Sequence, residues 1–256
     1  MRLAALVGKP AEGLLAALPD RAQKLVASAT NSALDRALGW AVQTLPGTAA
    51  GEGMRLRGAR FHTTLTAATG AIGGMFGLAG AALEVPTTTV LMLRSIAAIA
   101  RDNGFDPADP DIRLQCLSVF SLGSPRLDTM ESAYFSSRIA LALAMRDASR
   151  YVATHGVEEI GSAVARHAAP ALLRFVQQVA ARFEIVVTEK LAAQAVPIAG
   201  AALGSLVNAA FTDHFNRVAA YHFGIVRLER QHGQEIVRAS YQQACAEVKH
   251  GAEAAS

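Results

Sequence analysis

The sequence predicts an all-α protein, a single multi-helix bundle whose central helices carry glycine on one face and pack closely. Three observations predict it. Apolar residues make up 52% of the 256 positions, enough for a full core without cross-links. Period-two alternation of β-branched residues, the mark of a strand, is almost absent. Proline or aspartate recurs just before apolar runs and glycine just after them, which is the punctuation of helices.

The chain opens "MRLAALVGKPAEG", where Lys9-Pro10 ends the apolar run before a secretory core forms, so no signal peptide is expected. N-terminal helices are expected over 11–45, with Asp20 after Pro19 starting an alanine-rich run that Pro46-Gly47 stops. Next comes Thr63 to Leu83, 21 residues without a charge. Its glycines, Gly70, Gly73, Gly74, Gly77 and Gly80, are spaced by three and four, which places them along one helical face. A phosphate loop would need Gly-Lys-Ser/Thr or GxGxxG between a strand and a helix, and neither is present. A glycine face instead lets a second backbone approach closely. Each glycine inside a helix costs about 1 kcal/mol relative to alanine, so the stretch asks for compensation by packing.

Pro86 is expected to open "PTTTVLMLRSIAAIARDNG", with Gly104 as its C-terminal cap. In "DPDIRLQCLSVFSLG" Asp109 serves as N-cap, Pro110 occupies the first helical position and Gly123 ends the helix. Further helices are expected from Asp128 to about Thr154, from about Val157 to Ala195 with a break near Pro170, and from Pro197 to Phe211. The last pair runs from Asp213, read as its own cap, to His232 and from Gln234 to His250, leaving 251–256 as a frayed tail. No Pro, Gly or Ser-rich linker divides these elements, so residues 1–256 read as one domain. The segment Leu191 to Thr212 is a second uncharged span, with Gly200, Gly204 and Asn208 at intervals of four, and is expected to pair with the first. Both spans are long enough to cross a bilayer, yet they are rich in alanine and glycine, which makes insertion marginal.

Charge is unevenly placed. Residues 1–62 hold eight basic against four acidic side chains, and the remainder sixteen against seventeen. Arg55, Arg57 and Arg60 sit directly before the uncharged span, an order that suits an anionic membrane surface. Nucleic-acid binding is not expected, since no basic stripe with interleaved aromatics occurs. Cys116 and Cys245 are far apart and outside any CxxC or Cys/His spacing, which excludes a disulfide framework or zinc finger and fits a cytoplasmic location.

The blocks "ALEVPTTTVLMLRSIAAIARDNG", "IRLQCLSVFSLG" and "EKLAAQAVPIAGAALGSLVNAAFTDHFNRVAAYHFGIVRLERQHG" resemble, in the same order, the characteristic blocks of the EcsC family, and cover about residues 60–245. The resemblance implies a bacterial, helical protein linked to the membrane or to transport, since the family is named for a protein encoded beside the components of an ABC exporter. It carries no substrate, cofactor or catalytic residue to this chain.

Candidate sites follow from chemistry. Glu84 is the only charge between Thr63 and Leu93, so its carboxylate must be paired, protonated or used; Arg94 is the first cation available as a partner, and Thr88 and Thr89 could supply hydroxyls to a working carboxylate. His214 and His222 share a broad helical face next to Asp213, and His222, Glu229 and His232 share another. Glu229 to His232 forms one Glu-x-x-His step, whereas a two-iron bundle needs two, so no metal or other cofactor is expected. GxSxG and HExxH are both absent. The expected function is a membrane-associated accessory or interaction protein, partnered by an anionic membrane surface or a membrane transporter. The alternative is a peptidase or lipid hydrolase using Glu84 or the Asp213, His214 and His222 group. An enzyme would gather those groups in one concave pocket, and a membrane module would show an apolar face rimmed by arginine.

Overall fold

The computed structural model describes residues 20–43, 77–122, 130–155, 159–160, 163, 166, 168–194 and 200–254. Among the described residues there are seven long helices and no strand: α1 (Asp20–Gln43), α2 (Gly77–Asp102), α3 (Pro110–Leu122), α4 (Met130–Thr154), α5 (Pro170–Gln194), α6 (Gly200–His232) and α7 (Gln234–Ala254).

The burial pattern of each helix follows its apolar spacing. On α1, Val26, Ala29, Ala33, Leu34, Ala37 and Leu38 recur at threes and fours and are buried, while Lys24, Ser28, Ser32 and Arg36 lie on the exposed side. On α5 the same rhythm buries Leu172, Phe175, Val176, Val179, Phe183, Val186 and Val187. Helix α3 differs, because its buried residues run consecutively from Cys116 to Ser121 and so cover every side. Helices α1, α2, α4, α5 and α6 all pack on it. Buried apolar side chains from α1 to α6 join in one cluster. At its centre Phe120, Phe183, Phe211 and Phe215 meet with ring centroids 4.8 to 6.2 Å apart, within the range where tilted and edge-to-face contacts add to burial.

The helix ends are made by the residues that the sequence marks. Gly104 has φ +85°, and the paired bonds from Gly104 N to Arg101 O (2.9 Å) and from Phe105 N to Ala100 O (3.1 Å) close α2 with a left-handed cap. Asp109 Oδ1 accepts from Asp111 N at 2.9 Å ahead of α3, with Pro110 at the first helical position. Gly233, φ +88°, separates α6 from α7.

Three boundaries differ from the sequence-based expectation. Pro86 lies inside α2 and does not open it. Proline removes one backbone donor, and around that gap the Thr88 hydroxyl donates to Val85 O and Glu84 O (3.1 and 3.3 Å) and the Thr89 hydroxyl to Val85 O (2.8 Å). Asp213 caps nothing: α6 passes through it unbroken from Gly200, since no helix breaker stands between Phe211 and Asn216. Helix α7 extends past His250 to Ala254, because one glycine among alanine and glutamate costs only about 1 kcal/mol.

Gly77 and Gly80 fall in the first turn of α2 and Gly200 and Gly204 near the start of α6, two helices that pack on one another. Gly70, Gly73, Gly74, Arg55, Arg57 and Arg60 lie outside the described residues. No described helix is long and apolar enough to cross a membrane.

Candidate functional site

Two polar clusters interrupt the apolar interior. The first is closed. Glu84 of α2 is buried, and Lys190 Nζ of α5 reaches its Oε1 at 3.2 Å. Asn208 of α6 donates its side-chain amide to the same oxygen. The cation is therefore Lys190 and not Arg94, which lies ten residues along α2, about 15 Å by helical rise, and is exposed. Lys190 Nζ also sits 5.1 Å from the centre of the Phe211 ring. Burial lowers the Lys190 pKa, and the Glu84 charge and hydrogen bond oppose that shift. The Thr88 and Thr89 hydroxyls are committed to helix carbonyls and not to the carboxylate. This shielded ion pair joins three helices at one point, and the second Glu84 oxygen, Oε2, is buried there without a hydrogen-bond partner.

The second cluster lines a cavity of about 330 Å³ between α3, α4, α6 and the start of α7. Its apolar wall includes Leu122, Leu141, Met145 and Val226, and its polar wall Gln115, Arg138, His222 and Glu229. Arg138 of α4 grips Glu229 of α6 through two parallel bonds of 2.7 and 2.8 Å, the fork geometry in which guanidinium and carboxylate match best. Burial works against the Arg138 charge, but the hydrogen bonds and negative charge of Glu229 outweigh it and hold the pKa above the ordinary value. Tyr134, one turn before Arg138, places its hydroxyl 3.0 Å from His222 Nδ1. The other ring nitrogen, Nε2, is buried without a hydrogen-bond partner, as is Gln115 Oε1. Burial, reinforced by the Arg138 charge, pushes the His222 pKa down to about 3. The imidazole is neutral at physiological pH. Burial likewise raises the Tyr134 pKa, so the phenol keeps its proton.

Of the residues that the sequence singles out, only His222 and Glu229 meet here. Asp213 is exposed and paired with Arg217 at 2.8 Å, one turn along the same helix. His214 rests its ring edge-on against Phe215, and eight residues of α6 put it about 12 Å from His222 along the axis. His232 is exposed, and Glu84 belongs to the other cluster. Asp213, His214, His222 and Glu84 thus do not form one acid–base group. Phe215 and Phe223 are core residues. Among the described residues no three His, Cys, Asp or Glu side chains come together as a metal site.

Lys190, Tyr134, Arg138 and Gln115 escape the sequence reading as site residues, as does Asn208, which it names only for its spacing from Gly200 and Gly204. Two of them carry a signal. Lys190 occupies the next position of the α5 apolar stripe after Val186 and Val187, and Asn208 stands seven residues before Phe215 in the series Asn208, Phe215, His222, Glu229 that tracks the inner face of α6. A polar residue in register with buried ones announces a buried partner. Nothing local links Arg138 to Glu229, 91 positions away.

A family model described as the EcsC protein family matches residues 54–228, more than half of the chain, and that span includes Glu84, Tyr134, Arg138, Lys190, Asn208 and His222. No curated protein and no solved structure matches.

Proposed function

The chain belongs to the EcsC protein family, and we propose on that premise that it acts as a membrane-associated accessory or interaction protein, at an anionic surface on the inner face of the membrane and beside a membrane transporter. One observation carries this reading. On α4, Ile139 and Leu143 are each 60% exposed, and Arg146 and Arg150 continue the same line in the sequence i, i+4, i+7, i+11. At 100° per residue the four fall within about 60° of arc, so two apolar side chains stand in one exposed file with two cations. Exposed aliphatic side chains gain by leaving water, and each arginine near an anionic surface adds about 1 kcal/mol. Arg55, Arg57 and Arg60 would add to the same attraction.

The hydrolase reading has less support, because its proposed groups stand apart and the one carboxylate in the cavity, Glu229, is held by Arg138.

Flotation of the purified chain with vesicles tests the proposal. Binding to vesicles containing phosphatidylglycerol at low salt, weakening as salt rises, and poor binding to phosphatidylcholine alone are expected, since surface charges are screened within about 10 Å at 0.1 M salt. Equal binding to both lipids, or to neither, would refute it.

A further inference from the structure

The lining of the cavity between α3, α4, α6 and the start of α7 is graded by burial. Leu141 and Val226 are buried, Leu122 and Met145 are half-buried, and Ala142, Arg230 and Gln234 are exposed, so the wall runs from apolar interior to solvent. We infer that it is a binding site for a small amphiphilic anion, a carboxylate on a short alkyl chain, with the chain against the buried apolar wall and the carboxylate at Arg230.

The charge of the site follows from how its ionised side chains are used. Arg138 and Glu229 hold each other through two parallel bonds, and the Glu229 side chain is only 7% exposed, so that pair is internally neutral. Burial, with the Arg138 charge beside it, keeps the His222 imidazole neutral as well. Arg230 is the remaining charge on the lining. Its guanidinium carbon lies 4.3 Å from the centre of the Phe105 ring, and among the described residues it makes no ion pair or hydrogen bond. A guanidinium placed over a ring face is held without spending its N–H groups on an acceptor, and the fork they form matches a carboxylate. The lining thus carries one unmatched positive charge at its exposed end, which a monoanion neutralises and a cation would double.

The apolar wall sets the rest of the ligand. Leu122, Leu141, Met145 and Val226 take methylene groups out of water, and a volume of about 330 Å³ lies at the small end of ligand sites, which suits a chain of about six carbons rather than a long-chain lipid. The inference uses this cavity and not the exposed file on α4, so a failure to bind vesicles would leave it standing.

Hexanoate is the probe, with hexanamide as its uncharged and hexylammonium as its cationic counterpart. In the full chain carrying ¹³C-methyl methionine, hexanoate should shift the Met145 methyl resonance saturably, with hexanamide about tenfold weaker and hexylammonium without effect. Arg230→Gln removes the charge at an exposed position, so hexanoate affinity should fall about tenfold while hexanamide affinity stays the same. Arg230→Lys should keep part of the hexanoate affinity. The inference is overturned if hexanoate gives no saturable shift of Met145 up to its solubility limit, if hexanamide or hexylammonium binds as well as hexanoate, or if a folded Arg230→Gln binds hexanoate unchanged. Should that variant not fold, the comparison of the three probes on the unaltered chain decides alone.

Discussion

Glu84 and Lys190, 106 positions apart in the chain, meet at 3.2 Å with the lysine side chain wholly shielded from water and the carboxylate nearly so. Such a pair is not strong evidence of stability, because desolvating both charges offsets most of their attraction. Removing one partner is a different matter, since the other is left buried and unmatched. Glu84→Leu or Lys190→Met alone should therefore cost about 3–5 kcal/mol, while the two replacements together should recover much of the loss. Denaturant midpoints for the cycle check this, and additive single effects would dissolve the coupling. Arg94→Met serves as the control and should change stability by no more than about 0.5 kcal/mol, as expected of an exposed side chain.

The buried imidazole makes stability depend on acid. His222 has a folded pKa of about 3 against an ordinary 6.5, so below pH 6.5 the unfolded chain takes up a proton that the folded chain refuses. Its contribution is fully present above pH 6.5 and is lost as pH falls toward 3, at up to about 1.4 kcal/mol per pH unit. A folded His222→Phe variant should lack that part of the slope when unfolding free energy is measured between those limits.

Arg138 and Glu229 are joined by a fork that lysine cannot reproduce. Arg138→Lys keeps the charge and loses one of the two bonds, with a cost of about 1–3 kcal/mol. Thermal unfolding of this variant beside Glu229→Gln checks it; an Arg138→Lys midpoint equal to that of the unaltered chain would show that charge alone matters at this site.

Two glycines should respond in opposite directions to the same change. Gly104 sits at φ +85°, where a β-carbon is strained by about 1–2 kcal/mol, so Gly104→Ala should destabilise. Gly224 lies within α6 with nothing near the position its β-carbon would take, so Gly224→Ala should stabilise by up to about 1 kcal/mol through helix propensity. Chemical denaturation of the two variants reads both signs.

The surface reading separates into two arms. Replacing Ile139 and Leu143 by serine should weaken anionic-vesicle binding without changing its salt dependence, because only apolar contact is lost. Reversing Arg146 and Arg150, or Arg55, Arg57 and Arg60, to glutamate should flatten the salt dependence and weaken binding by about 1 kcal/mol or more per site. Circular dichroism of each variant confirms that the helices persist. Binding unchanged in both arms would move the membrane contact elsewhere.

The amino-acid sequence by itself determined what depends on near neighbours. Helix rhythm, the Gly104 and Gly233 ends and the Asp109-Pro110 start were legible because each arises within a few residues of its cause. Where a local signal misled, at Pro86 and Asp213, the helix runs on through a residue that alone suggests a boundary. That Glu84 needs a partner could be read from its lack of charged neighbours; which cation answers could not, since Lys190 arrives from another helix and Arg94, nearest in sequence, faces water. The cavity was beyond the sequence for the same reason. Tyr134 and Arg138 come from α4, Gln115 from α3 and His222 and Glu229 from α6, and their contacts exist only because tertiary packing sets those helices side by side around a gap that their side chains do not fill.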